Sequence, residues 1–209
     1  MKTPDEVLRN CKRPEGVLGE QTILRMNESH AELTAWGLSH IDVGDDAVIL
    51  DVGCGGGKAL KRLSGRAKNG RLFGVDYSET SVGVARRENE ADIAGGKMEI
   101  IHGSVSDLPF RDGMFDIVTT VESYYFWPDL AHDFREVRRV MKDGGVFAII
   151  AEMYNHKNQS EEDKYIVKTL EMHNNTPGEL ENMLLGAGFA KVTVDTDEEN
   201  GWLCAIAEK

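Results

Sequence analysis

The sequence predicts an α/β protein in which helices cover both faces of a mostly parallel sheet. Short apolar segments alternate with amphipathic segments from Val48 to Ala151, and such alternation requires parallel strands joined by right-handed crossovers. Two further strand-like segments near the end of the chain are separated by a short acidic loop. They predict a terminal β-hairpin, which brings the expected sheet to seven strands.

The first predicted strand, Val48–Val52, leads into a glycine-rich turn. Four of the five residues from Gly53 to Gly57 are glycines. A turn without Cβ atoms lets a ligand lie directly against the backbone, and the helix predicted over 58–63 points its free N–H groups at that turn. Because open α/β sheets bind nucleotides at the carboxyl ends of their strands, we expect a ligand site here.

The turn does not fit two common phosphate-binding patterns. A P-loop would need a glycine at Val52 and a hydroxyl residue at Ala59, and a dinucleotide fingerprint would need a glycine at Lys58. Asp51, near the end of the strand, belongs to neither pattern. These mismatches, together with the predicted hairpin, disfavour an NAD-dependent oxidoreductase.

The pattern Asp51-x-Gly53-x-Gly55-x-Gly57 resembles the first motif of class I S-adenosylmethionine (SAM)-dependent methyltransferases, in their type 11, small-molecule branch. In that family the loop wraps the methionine part of SAM. The resemblance covers about residues 49–209 and implies a Rossmann-like, seven-stranded methyltransferase sheet. It also implies that SAM is the cofactor, that S-adenosylhomocysteine is the product, and that these four residues and Cys54 bind it. We expect Cys54 to be a small loop residue and not a nucleophile.

The second predicted strand, Arg71–Asp76, also ends in an acidic residue. A carboxylate at this point of the fold accepts hydrogen bonds from both ribose hydroxyls of a nucleoside. Tyr77 follows, and we expect its ring or backbone to lie against adenine. A simple turn acid is the alternative for Asp76.

The third predicted strand, Met98–His102, precedes a segment that resembles the family's Gly-Asp-Ala-x-x-Leu-Pro-Phe motif. Aligning its Leu-Pro-Phe places Ser104, and not Asp107, where the family has the acid that accepts from the adenine amino group. A serine hydroxyl accepts more weakly than a carboxylate. The resemblance therefore assigns adenine binding to Ser104 and the Val105 backbone.

The fourth predicted strand is 117–121. Its last residue, Val121, is expected to lie near SAM, and the residues after the strand are expected to lie near the methyl acceptor. Whether a general base is needed depends on the acceptor, because a neutral amine or a thiolate attacks unaided, whereas a phenol or another hydroxyl must lose its proton. Glu122 has an alternative role in binding the SAM amino group or a backbone N–H, and the tyrosines an alternative role in packing. The candidates for a base are Glu122, Tyr124, His30 and His156.

The remaining elements follow from stop and start signals. A helix is expected from Asp129 to about Met141, closed by a glycine cap within 142–145, before a strand over 146–151. Capping boxes open helices at Ser160 and at Thr176. The first of these is expected to run to about His173 and the second to about Gly186, before two last strands over 191–195 and 202–207.

Residues 1–46 are expected to form a helical extension before the methyltransferase domain of 47–209, with one or two amphipathic helices over 22–40. In small-molecule methyltransferases similar helices cover SAM and wall the acceptor pocket. Met26, Asn27, His30 and Tyr125 would then face the ligands; ordinary packing is the alternative.

Composition limits the function. The 209 residues carry 24 basic and 36 acidic side chains, a net charge of −12, which disfavours nucleic acid and anionic membranes as partners. No apolar run is long enough to span a membrane, and the N-terminus lacks a signal-peptide core. Three cysteines without metal-binding spacing indicate reduced thiols, a cytoplasmic protein and no metal.

The sequence therefore predicts a cytoplasmic SAM-dependent methyltransferase that acts on a small molecule by in-line displacement. An Asn-Pro-Pro-Tyr segment, found after strand four in DNA and protein amide N-methyltransferases, is replaced here by 122–125. Methylation of an RNA or protein group, and a non-catalytic SAM-binding subunit, are the alternatives. The acceptor and the oligomeric state are left open.

Overall fold

The structure, a computed structural model, describes residues 4–209. Its strands are β1 (Val48–Val52), β2 (Arg71–Asp76), β3 (Met98–His102), β4 (Phe115–Val121), β5 (Met141–Ala151), β6 (Lys191–Asp197) and β7 (Trp202–Glu208). Its α-helices are α1 (Pro4–Lys12), α2 (Gly16–Ser29), α3 (Ala31–Gly37), α4 (Lys58–Arg66), α5 (Glu79–Glu88), α6 (Glu90–Ala94), α7 (Leu130–Val140), α8 (Glu161–Leu170) and α9 (Pro177–Gly186).

The strands form one seven-stranded sheet in the order β3-β2-β1-β4-β5-β7-β6. The first five strands are parallel, and β7 pairs antiparallel with both β5 and β6. This confirms the predicted sheet with its terminal hairpin. Strand β1 has β2 on one side and β4 on the other, so the chain order reverses at β1. Ligands bind at the carboxyl ends of the strands at such a point.

Apolar residues that alternate along the strands form two cores, one on each face of the sheet. Leu50 and Phe73 belong to the core that α7 and α9 cover, whereas Ile49 and Leu72 belong to the core under α3, α4 and α5. Helices therefore cover both faces, as predicted. Buried parallel strands need apolar residues on both sides, which explains the continuous apolar segments in the sequence.

The N-terminal extension is helical and packs onto the rest of the molecule. Helix α3 lies so close to β5 that a Cβ atom at Gly37 would come within 2.5 Å of the Ile150 side chain. Helix α2 packs beside α5, and α1 packs beside α2 and α8. Two helices, α2 and α3, thus occupy the segment in which one or two were expected. The division into an extension and a domain at residue 46 stays a prediction.

The predicted glycine cap after the fourth strand's helix is wrong. Helix α7 ends at Val140, and β5 begins at once with Met141, which pairs with Phe115. The pairing then shifts before Ile117, and a Cβ at Gly145 would lie 3.1 Å from the Asp116 carbonyl oxygen. Gly144 and Gly145 therefore lie in the irregular first part of β5, which is longer than the predicted strand.

Other boundaries differ by a few residues. Helix α8 ends at Leu170 and not near His173, because Glu171 adopts a left-handed conformation with φ 51°. Strands β6 and β7 extend to Asp197 and Glu208, since their pairing runs from Lys191 with Glu208 to Asp197 with Trp202. In residues 4–209 we find no helix long and apolar enough to cross a bilayer.

Candidate active site

A cavity of about 590 Å³ lies at the carboxyl ends of β1, β2 and β4. It has two ends, which we call the glycine-loop end (Gly53, Gly55 and Asp76) and the acidic end (His30, Glu122 and Glu152). Side chains from α1, α2 and α8 complete its wall opposite the sheet. One continuous space therefore joins the segments for which the sequence predicted cofactor and acceptor binding.

Hydrogen bonds hold the N-terminal helices over this cavity. The Lys12 ammonium donates to the carbonyl oxygen of Leu170 at 2.9 Å, which links α1 to α8. The Ser78 hydroxyl donates to the carbonyl oxygen of Pro14 at 2.6 Å, and the Tyr77 hydroxyl donates to that of Lys12. These bonds join the segment before α2 to the loop after β2. The extension is thereby a wall of the site.

The glycine loop is held by the neighbouring strand. The backbone N–H groups of Gly53 and Cys54 donate to the Val75 carbonyl oxygen at 2.8 and 3.1 Å. Gly53 has φ 71°, and a Cβ atom there would lie 1.9 Å from the Ser123 hydroxyl oxygen. Only glycine fits such a conformation and such a close approach without strain.

Gly57, which was predicted to bind the cofactor, is not among the residues that line the cavity. It lies behind the loop at the start of α4, where its carbonyl oxygen accepts a hydrogen bond from Asn89 at 3.1 Å. A Cβ at Gly57 would lie 2.5 Å from the Asn89 amide nitrogen. Close packing and a φ of 78° thus explain why residue 57 is a glycine. Its neighbour Gly56 lines the cavity.

Asp76 lies at the glycine-loop end and organises the backbone around it. Its carboxylate accepts from the N–H of Gly55 at 2.9 Å and from the N–H of Ser78 at 2.8 Å. Burial raises the pKa of this carboxyl, and the two backbone hydrogen bonds oppose the shift. Tyr77, which also lines the cavity, holds the Lys12 carbonyl oxygen through its hydroxyl.

Asp51 and Cys54 are buried beside the loop. Burial raises the pKa of Asp51 to about 7, although the Thr119 hydroxyl, which donates to it at 2.7 Å, opposes the shift. Burial also raises the pKa of the Cys54 thiol, with the nearby carboxylates of Asp76 and Asp51 adding to the effect. A thiol held in its protonated form is a poor nucleophile.

Beyond β3, the structure places Ser104 and Val105 at the cavity. Asp107 folds back to pair with Ser104 in an isolated β-bridge. The Ser104 hydroxyl oxygen accepts from the N–H of Ser106 at 3.2 Å. The register that assigns adenine to Ser104, and the contact itself, stay predictions. Val121, at the end of β4, also lines the cavity.

At the acidic end, Glu122 is fixed by its neighbours. Its Oε1 accepts from the Glu152 N–H at 2.6 Å, and its Oε2 accepts from the Tyr125 hydroxyl at 2.7 Å. Its backbone has φ 53°, a left-handed conformation that residues other than glycine seldom adopt. Strained positions of this kind concentrate at functional sites.

His30 faces two carboxylates. Its Nε2 lies 3.4 Å from Glu152 Oε1 and 3.9 Å from Glu122 Oε2. Burial alone would lower the pKa of His30, but the hydrogen bond to Glu152 and the two negative charges outweigh burial and raise it. Burial raises the pKa of Glu122 to about 7. The positive charge of His30 opposes this shift, and the negative charge of Glu152 adds to it. These three residues could also hold a metal ion, since their ligand atoms lie within 4.8 Å of one another.

Tyr124, which was predicted as a candidate base, is also not among the residues that line the cavity. Its side chain is fully buried in the core, and its hydroxyl has no hydrogen-bond partner among the described residues. The short 3₁₀ turn after β4 directs Tyr125 to the cavity in its place. The other histidine considered as a base, His156, lies against the ring of Tyr154, with centroids 4.8 Å apart.

Glu152 was missed by the sequence reasoning, although a signal was present. It follows β5 directly, just as Glu122 follows β4 directly. The two strands are neighbours and parallel, so their carboxyl ends meet at the same edge of the sheet. The rule that identified Glu122 therefore also identifies Glu152.

Known proteins resemble the chain in both sequence and fold. Residues 50–149 match the family described as a methyltransferase domain. The demethylmenaquinone methyltransferase of Bacillus cereus (strain B4264) is 35% identical over 106 residues, which make up 50% of this chain and 44% of that protein. The match thus spans less than half the length of that curated relative.

Two solved structures share the whole fold. A chain of the Haloferax volcanii complex that contains the Trm112 methyltransferase activator matches with a TM-score of 0.80, at 23% identity over 99% of both chains. A SAM-dependent methyltransferase from Aquifex aeolicus matches with a TM-score of 0.69, at 18% identity over 99% of this chain and 97% of that one. Residues 50–149 therefore match a methyltransferase domain in sequence, and the seven-stranded fold around them is the fold of these solved structures.

Proposed function

We propose that this protein transfers a methyl group from SAM to a small-molecule acceptor by in-line displacement. The observation that carries the proposal is the single cavity of about 590 Å³ that joins the glycine loop to the acidic end. A cofactor at one end and an acceptor at the other would meet inside it. Cavities of this size suit small molecules.

The residues present fit SAM. The loop around Gly53 and Gly55 offers a surface without side chains, and the Asp76 carboxylate offers an acceptor for ribose hydroxyls. The amide nitrogen of Asn27 is buried, lines the cavity and has no hydrogen-bond partner among residues 4–209. A buried donor without a partner is costly, and the carboxylate of the methionine part of SAM would supply one.

SAM supplies a methyl group already activated by its sulfonium. The protein's own residues then have to orient the acceptor, exclude water and remove a proton where the acceptor requires it. Helices α1, α2 and α8 exclude water by covering the cavity. Glu122 is positioned to take a proton, because its pKa of about 7 leaves much of it unprotonated at neutral pH.

A small acceptor is favoured over a macromolecule by charge and by the enclosing helices. The net charge of −12 disfavours nucleic acid as the acceptor.

A cytoplasmic location is also proposed, because Cys11, Cys54 and Cys204 are free thiols. The likeness to the Haloferax volcanii complex makes a protein activator the first partner to test, by co-purification.

Calorimetry tests the proposal. The protein is titrated with SAM and S-adenosylhomocysteine, and separately with NAD and ATP. We expect binding of the first two and much weaker binding of the others, because the loop lacks the P-loop and dinucleotide patterns. NAD binding as strong as SAM binding would contradict the proposal.

A further inference from the structure

We propose that the acidic end selects an acceptor whose reacting group is an amine nitrogen carried on an apolar body. This inference rests on the proposed function and specifies its substrate class. It follows from the charges of His30, Glu122 and Glu152, from their hydrogen bonds and from the residues that surround them.

The acidic end holds one more carboxylate than it holds cations. Within residues 4–209, the ion pairs of Glu122 and Glu152 are both made with His30. Three other basic residues line the cavity, and none of them pairs with Glu122 or Glu152. Lys58 pairs with Glu88 at 2.8 Å, Arg25 donates to the Cys11 sulfur, and Lys12 donates to the Leu170 carbonyl oxygen and lies 5.8 Å from the centroid of the Phe126 ring. A partly buried carboxylate without a cation favours a proton or a positively charged ligand.

The carboxylates also have room to accept. Each oxygen of Glu122 already accepts one hydrogen bond and keeps a second lone pair. These bonds fix the carboxylate in place, and its side chain is only 9% exposed. An ammonium has three N–H donors, and it would bridge Glu122 and Glu152 beside His30.

This arrangement favours an amine over a hydroxyl group. A hydroxyl acceptor develops negative charge on oxygen as it reacts, and the second carboxylate would repel that charge. An ammonium is attracted by both carboxylates instead. It must lose one proton before it reacts, and Glu122 is placed to take it.

The chemistry balances without a further reactant. The ammonium passes one proton to the Glu122 carboxylate, which becomes a neutral acid. The lone pair left on nitrogen forms the new N–C bond while the S–C bond of the sulfonium breaks and its electrons stay on sulfur. The products are a methylated ammonium and S-adenosylhomocysteine, and Glu122 returns its proton to solvent when the product leaves.

Six apolar side chains line the same cavity as the acidic end. Three come from α8 and the segment after it, and the others come from α2 and from the ends of β4 and β5. They are Ile166, Leu170, Met172, Met26, Phe126 and Met153. Long, unbranched methionine side chains adapt to irregular apolar ligands, so an amine with an apolar body would bury that body here.

The test uses matched pairs of ligands that differ only in the reacting group. We use 2-phenylethylamine with 2-phenylethanol, tryptamine with tryptophol, and octylamine with octanol, each titrated into the protein with and without S-adenosylhomocysteine. In at least one pair we expect the amine to bind about tenfold more tightly or better, the size of one hydrogen bond to a charged group. Transfer from methyl-labelled SAM should place the label on nitrogen.

Two variants make the result specific. Glu152→Gln should reduce the amine preference about tenfold and leave affinity for S-adenosylhomocysteine unchanged, because it removes one of the two charges. Glu162→Gln, an exposed residue of α8, is the matched control and should leave the preference intact.

Several outcomes would overturn the inference. One is no amine preference in any of the three pairs, and another is a preference that survives Glu152→Gln. Competition of Mg²⁺ alone for the site, lost in Glu152→Gln, would show that the acidic end holds a metal ion. Failure of S-adenosylhomocysteine to bind would instead refute the proposed function, and the amine preference would still be measured without it.

Discussion

The two ends of the cavity are built in different ways. The glycine-loop end consists of backbone groups from consecutive residues, held by β2 through the Val75 carbonyl oxygen and the Asp76 carboxylate. The acidic end consists of side chains that are far apart in the sequence, His30, Glu122 and Glu152, and meet only in the folded chain. The first end therefore depends on one local motif, whereas the second depends on how distant segments pack together.

This difference predicts that the two ends can be damaged separately. A change at the acidic end should affect turnover more than cofactor affinity, and a change at the glycine-loop end should do the reverse. Kinetic and binding measurements on the same variants separate the two effects, since an interaction made only in the transition state lowers kcat with little effect on binding.

The largest effect is expected from Glu122→Gln. Loss of a general base typically lowers turnover by about 10²–10⁴-fold. The amide keeps the size of the side chain. Its oxygen can accept from the Glu152 N–H and its nitrogen can donate to the Tyr125 hydroxyl oxygen, so the fold should be retained. Steady-state kinetics and calorimetry with S-adenosylhomocysteine measure the two properties. Unchanged turnover, or an equal loss of cofactor affinity, would contradict the role of Glu122.

A pH profile distinguishes a base from a purely structural residue. Glu122 accepts a proton only when ionised, so turnover should rise with pH and level off above its pKa of about 7. His30→Gln removes a positive neighbour, raises that pKa and should move the rise to higher pH. Glu152→Gln removes a negative neighbour, lowers the pKa and should move the rise to lower pH. A profile that neither variant moves would show that Glu122 does not titrate in the reaction.

An intermediate effect is expected from Asp76→Ala at the other end. The variant lacks the carboxylate that is predicted to accept hydrogen bonds from the ribose hydroxyls, so SAM binding should weaken by about 1–3 kcal/mol. The carboxylate also holds the N–H groups of Gly55 and Ser78, so thermal unfolding of the variant has to be measured as well. Asp76→Asn, which keeps one acceptor oxygen, should lose less affinity. A folded Asp76→Ala variant with unchanged SAM affinity would show that Asp76 does not hold the ribose.

The contrast between local motifs and distant contacts also explains which parts of the site could be predicted from the sequence. The sheet, the glycine loop and Asp76 were predictable because each depends on neighbours along the chain: apolar strands, glycines in one turn, an acid at a strand end. The sequence did not show that Tyr124 and Gly57 lie outside the cavity lining, because a single 3₁₀ turn and the packing of Asn89 decide which residue faces the cavity. Local sequence patterns do not fix such turns or contacts.

Glu152 and Asn27 show the other limit. The residues next to Asn27 in the sequence do not indicate that its amide nitrogen is buried without a hydrogen-bond partner. That burial arises only when α2 packs against the glycine loop. The position of Glu152 follows from the parallel pairing of β4 and β5, but its approach to His30 depends on where the N-terminal helices pack. Contacts between distant segments carry the specificity of the site.

The smallest effect is expected at Ser104. If its hydroxyl accepts from the adenine amino group, Ser104→Ala should weaken SAM binding by about 0.5–1.5 kcal/mol, the usual net value of a neutral hydrogen bond. Asp107→Asn should change the affinity little, because Asp107 is exposed and is not among the residues that line the cavity. Calorimetry of both variants under one condition decides between them. A larger loss in Asp107→Asn than in Ser104→Ala would mean that the carboxylate reaches adenine and that the register taken from Leu108-Pro109-Phe110 is wrong.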